Sequence, residues 1–307
     1  MGHEPFPGHP ERAKRLAAAM TGARLAGAEP LAVAIDEAVC LAAISRVHDP
    51  ALAIRLRAAC GYAPCVFDSE DNPISPGSYR AAVAAVAATL AAVDHAAARE
   101  AGRVFAAVRP PGHHALRDRT MGFCFFNNAA IAAEELLQRG LSPVAIVDFD
   151  VHHGNGTQGH FFARPDVYFL SLHRYPFYPG SGGGDEIGEG RGRGFTRNLP
   201  LAAGANDEIF CEALATGVTE LHRVMTPAAW VVSAGFDAHE ADPLGGMRVT
   251  DTGFARIGGI LGEASGRAPL VAVLEGGYDL TALQRSVRAF LEGLQGALPL
   301  DFSVVGS

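Results

Sequence analysis

Asp148, Asp150 and His152 stand at i, i+2 and i+4 in the segment Val144-Ala-Ile-Val-Asp-Phe-Asp-Val-His-His-Gly-Asn-Gly-Thr157. Extended backbone alternates its side chains, so this parity puts all three on one side. An aspartate and a histidine two apart can give a zinc ion one oxygen and one nitrogen. A catalytic zinc needs a third protein ligand and an open position for water. Asp237, at the end of Trp230-Val-Val-Ser-Ala-Gly-Phe-Asp237, is the candidate third ligand. Alone, Asp-x-Asp-x-His could also cap turns at a strand end. The remaining motifs favour the metal reading.

His113 and His114 lie side by side in Arg109-Pro-Pro-Gly-His-His-Ala115. Two imidazoles beside a metal-bound water suit acid–base work at neutral pH. Neighbouring residues of an extended loop face apart unless the backbone is special, and Pro110, Pro111 and Gly112 supply rigidity and freedom. The plainer alternative is a pair of surface histidines after a proline turn. In Leu274-Glu-Gly-Gly-Tyr278 the two glycines let the backbone turn and approach a ligand. The Tyr278 phenol can donate to a developing oxyanion; otherwise it is a core tyrosine after a turn. Gly122-Phe-Cys-Phe-Phe-Asn-Asn128 follows the tandem histidines, so one of its aromatics could line an entrance. Cys124, flanked by phenylalanines, reads as a buried structural cysteine rather than a nucleophile.

These residues need elements that bring them together. Runs 104–108, 144–150, 167–173, 230–237 and 270–278 are short, apolar and rich in β-formers, as strands of a parallel sheet covered on both faces must be. Helices are predicted over 128–139, from the Asn206 cap to about 225, from Thr250 or Asp251 onward, and over 280–298 behind Asp279. This alternation predicts an α/β sandwich with right-handed crossovers and a site at the carboxyl ends of the strands. Those ends carry His113 and His114, then Asp148, Asp150 and His152, then His173, then Asp237, then Tyr278. A long alanine-rich helix is predicted over 78–100 and a loop over 61–77. Residues 180–194 hold eight glycines and read as a loop, not a phosphate cradle.

The 307 residues are read as one domain, 1–307. Hydrophobic residues at 49% against 19% charged exclude a disordered chain. The 33 acidic residues outnumber 25 basic ones, so nucleic acid is not an expected partner. The apolar stretch 81–93 is too short to span a bilayer, and no membrane partner or secretory leader is expected. Five scattered cysteines without a CxxC pair point to a reducing compartment, the cytoplasm. Lys14 is the only lysine among the basic residues, which suggests GC-rich, bacterial coding.

In this order and spacing the motifs resemble the zinc-dependent histone deacetylase family, above all its class II-like bacterial amidohydrolases and the acetylpolyamine amidohydrolases. The likeness runs from His9-Pro-Glu-Arg12 to the last helix and is most specific from Arg109 to Asp279. It implies an arginase-like three-layer α/β/α fold with a central, mainly parallel sheet, and hydrolysis of an acyl-amide on a lysine-like amine. By position it implies zinc held by Asp150, His152 and Asp237. His114 would be general base and then acid, with His113 its electrostatic partner oriented by Asp148. Asn155 would orient His114, asparagine there being the class II pattern. Tyr278 would polarise the acyl carbonyl, and a tyrosine at this position is the mark of active deacetylases.

Gly122, Phe123 and Tyr178 would line the acyl-lysine tunnel, with tyrosine replacing the more usual phenylalanine at 178 and adding a polar contact at the rim. A structural potassium ion is implied at Asp148, Ser171 and the carbonyls of Asp150, His152 and Leu172. Leu244 falls where acetylpolyamine enzymes can place a glutamate, so the apolar residue favours acetyllysine over an acetylated polyamine. An arginase-type binuclear manganese hydrolase would space its ligands differently. An inactive binding module would have lost ligands that this chain keeps. Family members commonly carry a strand before the His-Pro-Glu-Arg segment; this chain begins close to it, so either that strand is absent or the chain's start is internal.

Overall fold

The computed structural model describes residues 2–296 and 302–306. Its centre is a sheet of eight described strands, all parallel. In chain order these are β1 (Glu29–Leu31), β4 (Arg103–Ala107), β5 (Val144–Asp148), β6 (Val167–Arg174), β7 (Thr196–Leu201), β8 (Ala229–Ala234), β9 (Leu270–Leu274) and β10 (Phe302–Gly306). Across the sheet they run β1-β10-β4-β9-β8-β5-β6-β7. A separate antiparallel hairpin pairs β2 (Cys65–Phe67) with β3 (Ser69–Ile74). It replaces the loop predicted over 61–77, where Pro73 and the acidic residues hide the β pattern.

Two apolar cores sandwich the sheet, and strand alternation divides them. Val104, Ala106, Val144 and Ile146 face one core with α2 (Glu37–Val47), α3 (Pro50–Cys60), α4 (Ser78–Ala97) and α5 (Asn128–Gln138). Phe105, Ala107, Ala145 and Val147 face the other with α1 (Lys14–Leu25), α7 (Asp207–Val224), α8 (Asp251–Ser265) and α9 (Leu280–Gln295). The predicted three layers are therefore present. Side-chain caps open the helices where the sequence placed them: Asn206 accepts from Ile209 N–H, Thr250 from Gly253 and Asp279 from Ala282. The predicted end of the last helix at 298 lies outside the described residues. Helix α4 is long and apolar enough to cross a membrane, and 72% of its apolar window is buried inside the fold.

The strands end earlier than predicted: β5 at Asp148, β8 at Ala234 and β9 at Leu274. Asp148 pairs with Ser171 on one side and Ser233 on the other, and Ala234 with Leu274. These ends are level, so the loops beyond them emerge along one edge. Asp150 and His152 consequently stand past the strand, and parity of extended backbone does not place them. A chain of side-chain caps does. Asp148 Oδ1 accepts the Asp150 N–H at 3.1 Å, and Asp150 Oδ1 accepts the His152 N–H at 2.9 Å. Each aspartate thereby bends the backbone two residues on, as such side chains do in turns.

Candidate metal and acyl-amide site

Asp150, His152 and Asp237 converge from two strand ends. His152 Nδ1 lies 3.1 Å from Asp150 Oδ1 and 3.1 Å from Asp237 Oδ2. The other carboxylate oxygens are held by backbone: Asp150 Oδ2 accepts from Gly276 N–H at 2.8 Å, and Asp237 Oδ1 from Val151 N–H at 2.9 Å. One donor atom of each residue is thus aimed at a common point. Bonds of about 2.0–2.1 Å to a tetrahedral zinc ion separate its ligands by roughly 3.3 Å, so the spacing and the N,O,O donor set fit zinc. Glycine is required at 276, because a Cβ there would collide with both Asp237 Oδ2 and Asp150 Oδ2.

The tandem histidines stand beside this cluster, both 3% exposed, with ring centroids 4.0 Å apart. His113 Nδ1 donates to Asp148 Oδ2 at 3.0 Å. Burial alone would depress His113, but the carboxylates of Asp148 and Asp150 outweigh it and lift it to about 10. His114 Nδ1 donates to Asn155 Oδ1 at 2.8 Å, which leaves Nε2 as the basic nitrogen. Burial and then the His113 charge hold His114 well below 6.5. Glu275, two residues before Gly277 in the turn that leads to Tyr278, closes this corner of the site. It is fully buried, and its Oε2 accepts from the N–H of Gly112 at 2.7 Å and of His113 at 3.1 Å. Burial lifts its carboxyl to about 7 against the pull of His113.

A cavity of about 330 Å³ opens above these groups. Its walls include His114, His152, Gly122, Phe123, Tyr178, Leu244 and Tyr278, all singled out in the sequence, and Asp71 and Phe177, which were not. Phe177 stacks on His152 at 5.2 Å and 14°. The Arg174 guanidinium lies 4.0 Å over the Phe177 ring. Phe123 has φ +67°, a costly conformation for a phenylalanine. Asn72 secures it by accepting the Phe123 N–H at 2.6 Å and donating to Cys124 O at 3.1 Å. The Tyr278 ring lies 5.9 Å from Phe123 and 4.8 Å beneath the Arg15 guanidinium. Burial keeps its phenol well above its ordinary value, so it stays a donor. Nothing in a single sequence marked Asp71 or Phe177: Asp71 meets Tyr178 across 107 residues of chain, and Phe177 meets His152 from a separate loop.

Asp148, Ser171 and Leu172 of the implied potassium site lie near one another on β5 and β6. Asp148 is paired in register with Ser171, and its two oxygens serve His113 and the Asp150 N–H. Ser171 Oγ lies 2.9 Å from His173 Nδ1, and the Leu172 side chain is core. Cys124 is fully buried, and burial keeps its thiol protonated, as the structural reading expected.

The histone deacetylase domain family matches residues 7–294. The chain is 41% identical over 232 residues to the histone deacetylase-like amidohydrolase of Pseudomonas aeruginosa, covering 74% of this chain and 61% of that protein. It is 43% identical over 230 residues to the acetylpolyamine amidohydrolase of Burkholderia pseudomallei, covering 74% of this chain and 65% of that protein. The matches therefore span less than two-thirds of these relatives' own lengths. The crystal structure of the HDA15 HD domain superposes with a TM-score of 0.84 at 33% identity, covering 97% of this chain and 86% of that one. The chain belongs to the histone deacetylase family.

Proposed function

We propose that this protein hydrolyses acyl amides and that its preferred reaction is removal of an acetyl group from Nε-acetyllysine in proteins or peptides. The convergence of Asp150 Oδ1, His152 Nδ1 and Asp237 Oδ2 beneath an aromatic-walled cavity carries the proposal. One zinc ion held there would polarise the acyl carbonyl and bring water towards ionisation near neutral pH. The chain's own residues do the rest. His114 Nε2 takes a proton from the attacking water. The Tyr278 phenol donates to the oxygen that gains charge as the carbonyl becomes tetrahedral. His114 then returns its proton to the departing amine, which leaves neutral. His113 remains charged between Asp148 and Asp150 and so keeps its neighbour neutral and free to accept a proton. Phe123, Phe177 and Tyr178 hold a narrow methylene chain and exclude bulk water.

An acetylated polyamine is the competing substrate, supported by the Burkholderia relative. Leu244 argues for acetyllysine, since it offers no carboxylate to a second amine. The binuclear manganese reading lacks support: the other metal-capable group among the described residues is His113, Cys124 and Glu275, whose thiol is protonated and whose carboxyl grips backbone. The deciding experiment compares kcat/KM on acetyllysine peptides and N-acetylputrescine, each with and without a zinc chelator. Chelator-sensitive turnover favouring the peptides is expected. Preference for the diamine would replace acetyllysine as the substrate, and chelator-resistant turnover would overturn the metal mechanism.

A further inference from the structure

The tandem histidines pose a problem that the metal ligands do not. Consecutive side chains ordinarily diverge, yet His113 and His114 stand together and find separate Nδ1 partners in Asp148 and Asn155. The backbone that permits this is gripped from the end of β9. A single oxygen, Glu275 Oε2, accepts both the Gly112 and His113 N–H groups. Glu275 Oε1 has no hydrogen-bond partner among the described residues. Burying a carboxyl there is costly, and a methionine would fill the space without that cost. What an apolar side chain cannot do is bind the two amides. The same turn fastens the rest of the site, since Gly276 N–H holds Asp150 and Tyr278 follows two residues later.

We propose that Glu275 is a positioning residue for the hydrolytic reaction: its grip on the Gly112 and His113 amides keeps both imidazoles beside the Asp150, His152 and Asp237 cluster and thereby sets His114 Nε2 against the attacking water. Glu275 does not touch substrate. The inference rests on the acyl-amide reading of the site.

The test uses the zinc-loaded protein with two substitutions. Glu275→Gln keeps an acceptor of the same shape, and Glu275→Met fills the space without one. Glu275→Gln should hold kcat within about threefold, the cost of weakening a charge-assisted hydrogen bond by a fraction of its strength. Glu275→Met should lower kcat by on the order of 10²-fold, because a displaced base forfeits its usual 10²–10⁴-fold contribution. KM and zinc content should stay near wild type in both. Wild-type kcat in Glu275→Met, equal losses in the two variants, or a loss traced to zinc would each overturn the proposal. If Glu275→Met does not fold, Glu275→Asp takes its place, since a side chain one methylene shorter cannot reach both amides. Crystal structures separate this inference from the functional reading. The His113 and His114 rings should be displaced in Glu275→Met and unmoved in Glu275→Gln, whatever the wild-type activity. Rings unmoved in both would refute the grip.

Discussion

The Tyr178 phenol donates to Asp71 Oδ2 at 2.8 Å across the mouth of the cavity. The same oxygen accepts the Gly122 N–H at 3.1 Å. One carboxylate on the β2–β3 hairpin thus ties both aromatic walls, Tyr178 directly and Phe123 through its neighbour. Tyr178→Phe removes one hydrogen bond at a partly exposed rim, worth about 0.5–1.5 kcal/mol. Its kcat/KM on acetyllysine peptides should fall by less than about tenfold, mainly through KM. Asp71→Ala releases both walls and should cost more. Steady-state kinetics on the two variants check this; equal effects would mean that Asp71 serves Tyr178 alone.

Asp237 accepts the Val151 N–H through Oδ1, and the proposed reaction gives its Oδ2 a second, separable part as metal donor. Asp237→Ala should lose zinc and also leave that buried amide unsatisfied, at about 1–3 kcal/mol. Asp237→Asn can keep the amide bond while weakening the metal. Metal analysis should find zinc depleted in both, and thermal melts of the apo-proteins should place Asn above Ala. Full zinc occupancy in the alanine variant would remove Asp237 from the ligand set.

Tyr278 lies under Arg15 with its phenol protonated. Tyr278→Phe keeps the ring, the cation–π contact and the metal ligands. It removes only the donor, so zinc content should be unchanged while kcat falls by about 10²–10³-fold. Normal turnover would exclude the phenol from the reaction.

Much of this arrangement is legible in the sequence because its determinants are local. Apolar runs ending in His, Asp or Tyr announce buried strands with chemistry at their carboxyl ends, and Asn206, Thr250 and Asp279 announce the helices. Asp150 and His152 meet where the spacing predicts, but successive aspartate caps rather than extended backbone orient them. The β2–β3 hairpin was missed because Asp68, at φ +59°, and Pro73 look like loop residues. Asp71, Phe177 and the work of Glu275 were hidden for another reason. Asp71 meets Tyr178 from more than a hundred residues away, Glu275 binds another segment's backbone, and Phe177 stacks on His152 from a separate loop; no spacing rule encodes such meetings.

The pH dependence follows from His114. Its folded pKa is lowered by burial and then by the neighbouring His113 charge. A general base works when neutral, so the acid limb of kcat/KM should lie below pH 6.5, the ordinary histidine value. His113→Gln removes a positive charge that opposes protonation of His114. The His114 pKa then rises, and the acid limb moves to higher pH in the activity that remains. A limb that stays put or moves to lower pH would contradict the coupling.

Leu244 tests the choice of substrate. It is half-buried in the cavity wall, where a glutamate would meet solvent on one side and the substrate chain on the other. An ion pair formed between such a carboxylate and a second amine is partly screened, worth about 0.2–1 kcal/mol at an exposed position. Leu244→Glu should therefore shift the ratio of kcat/KM for N-acetylputrescine over an acetyllysine peptide by only about 1.5- to 5-fold towards the diamine. The direction matters more than the size. A shift towards the peptide would mean that position 244 does not face the distal amine. A shift of several hundredfold would exceed what one rim charge can supply and would show that the substitution had rebuilt the cavity itself.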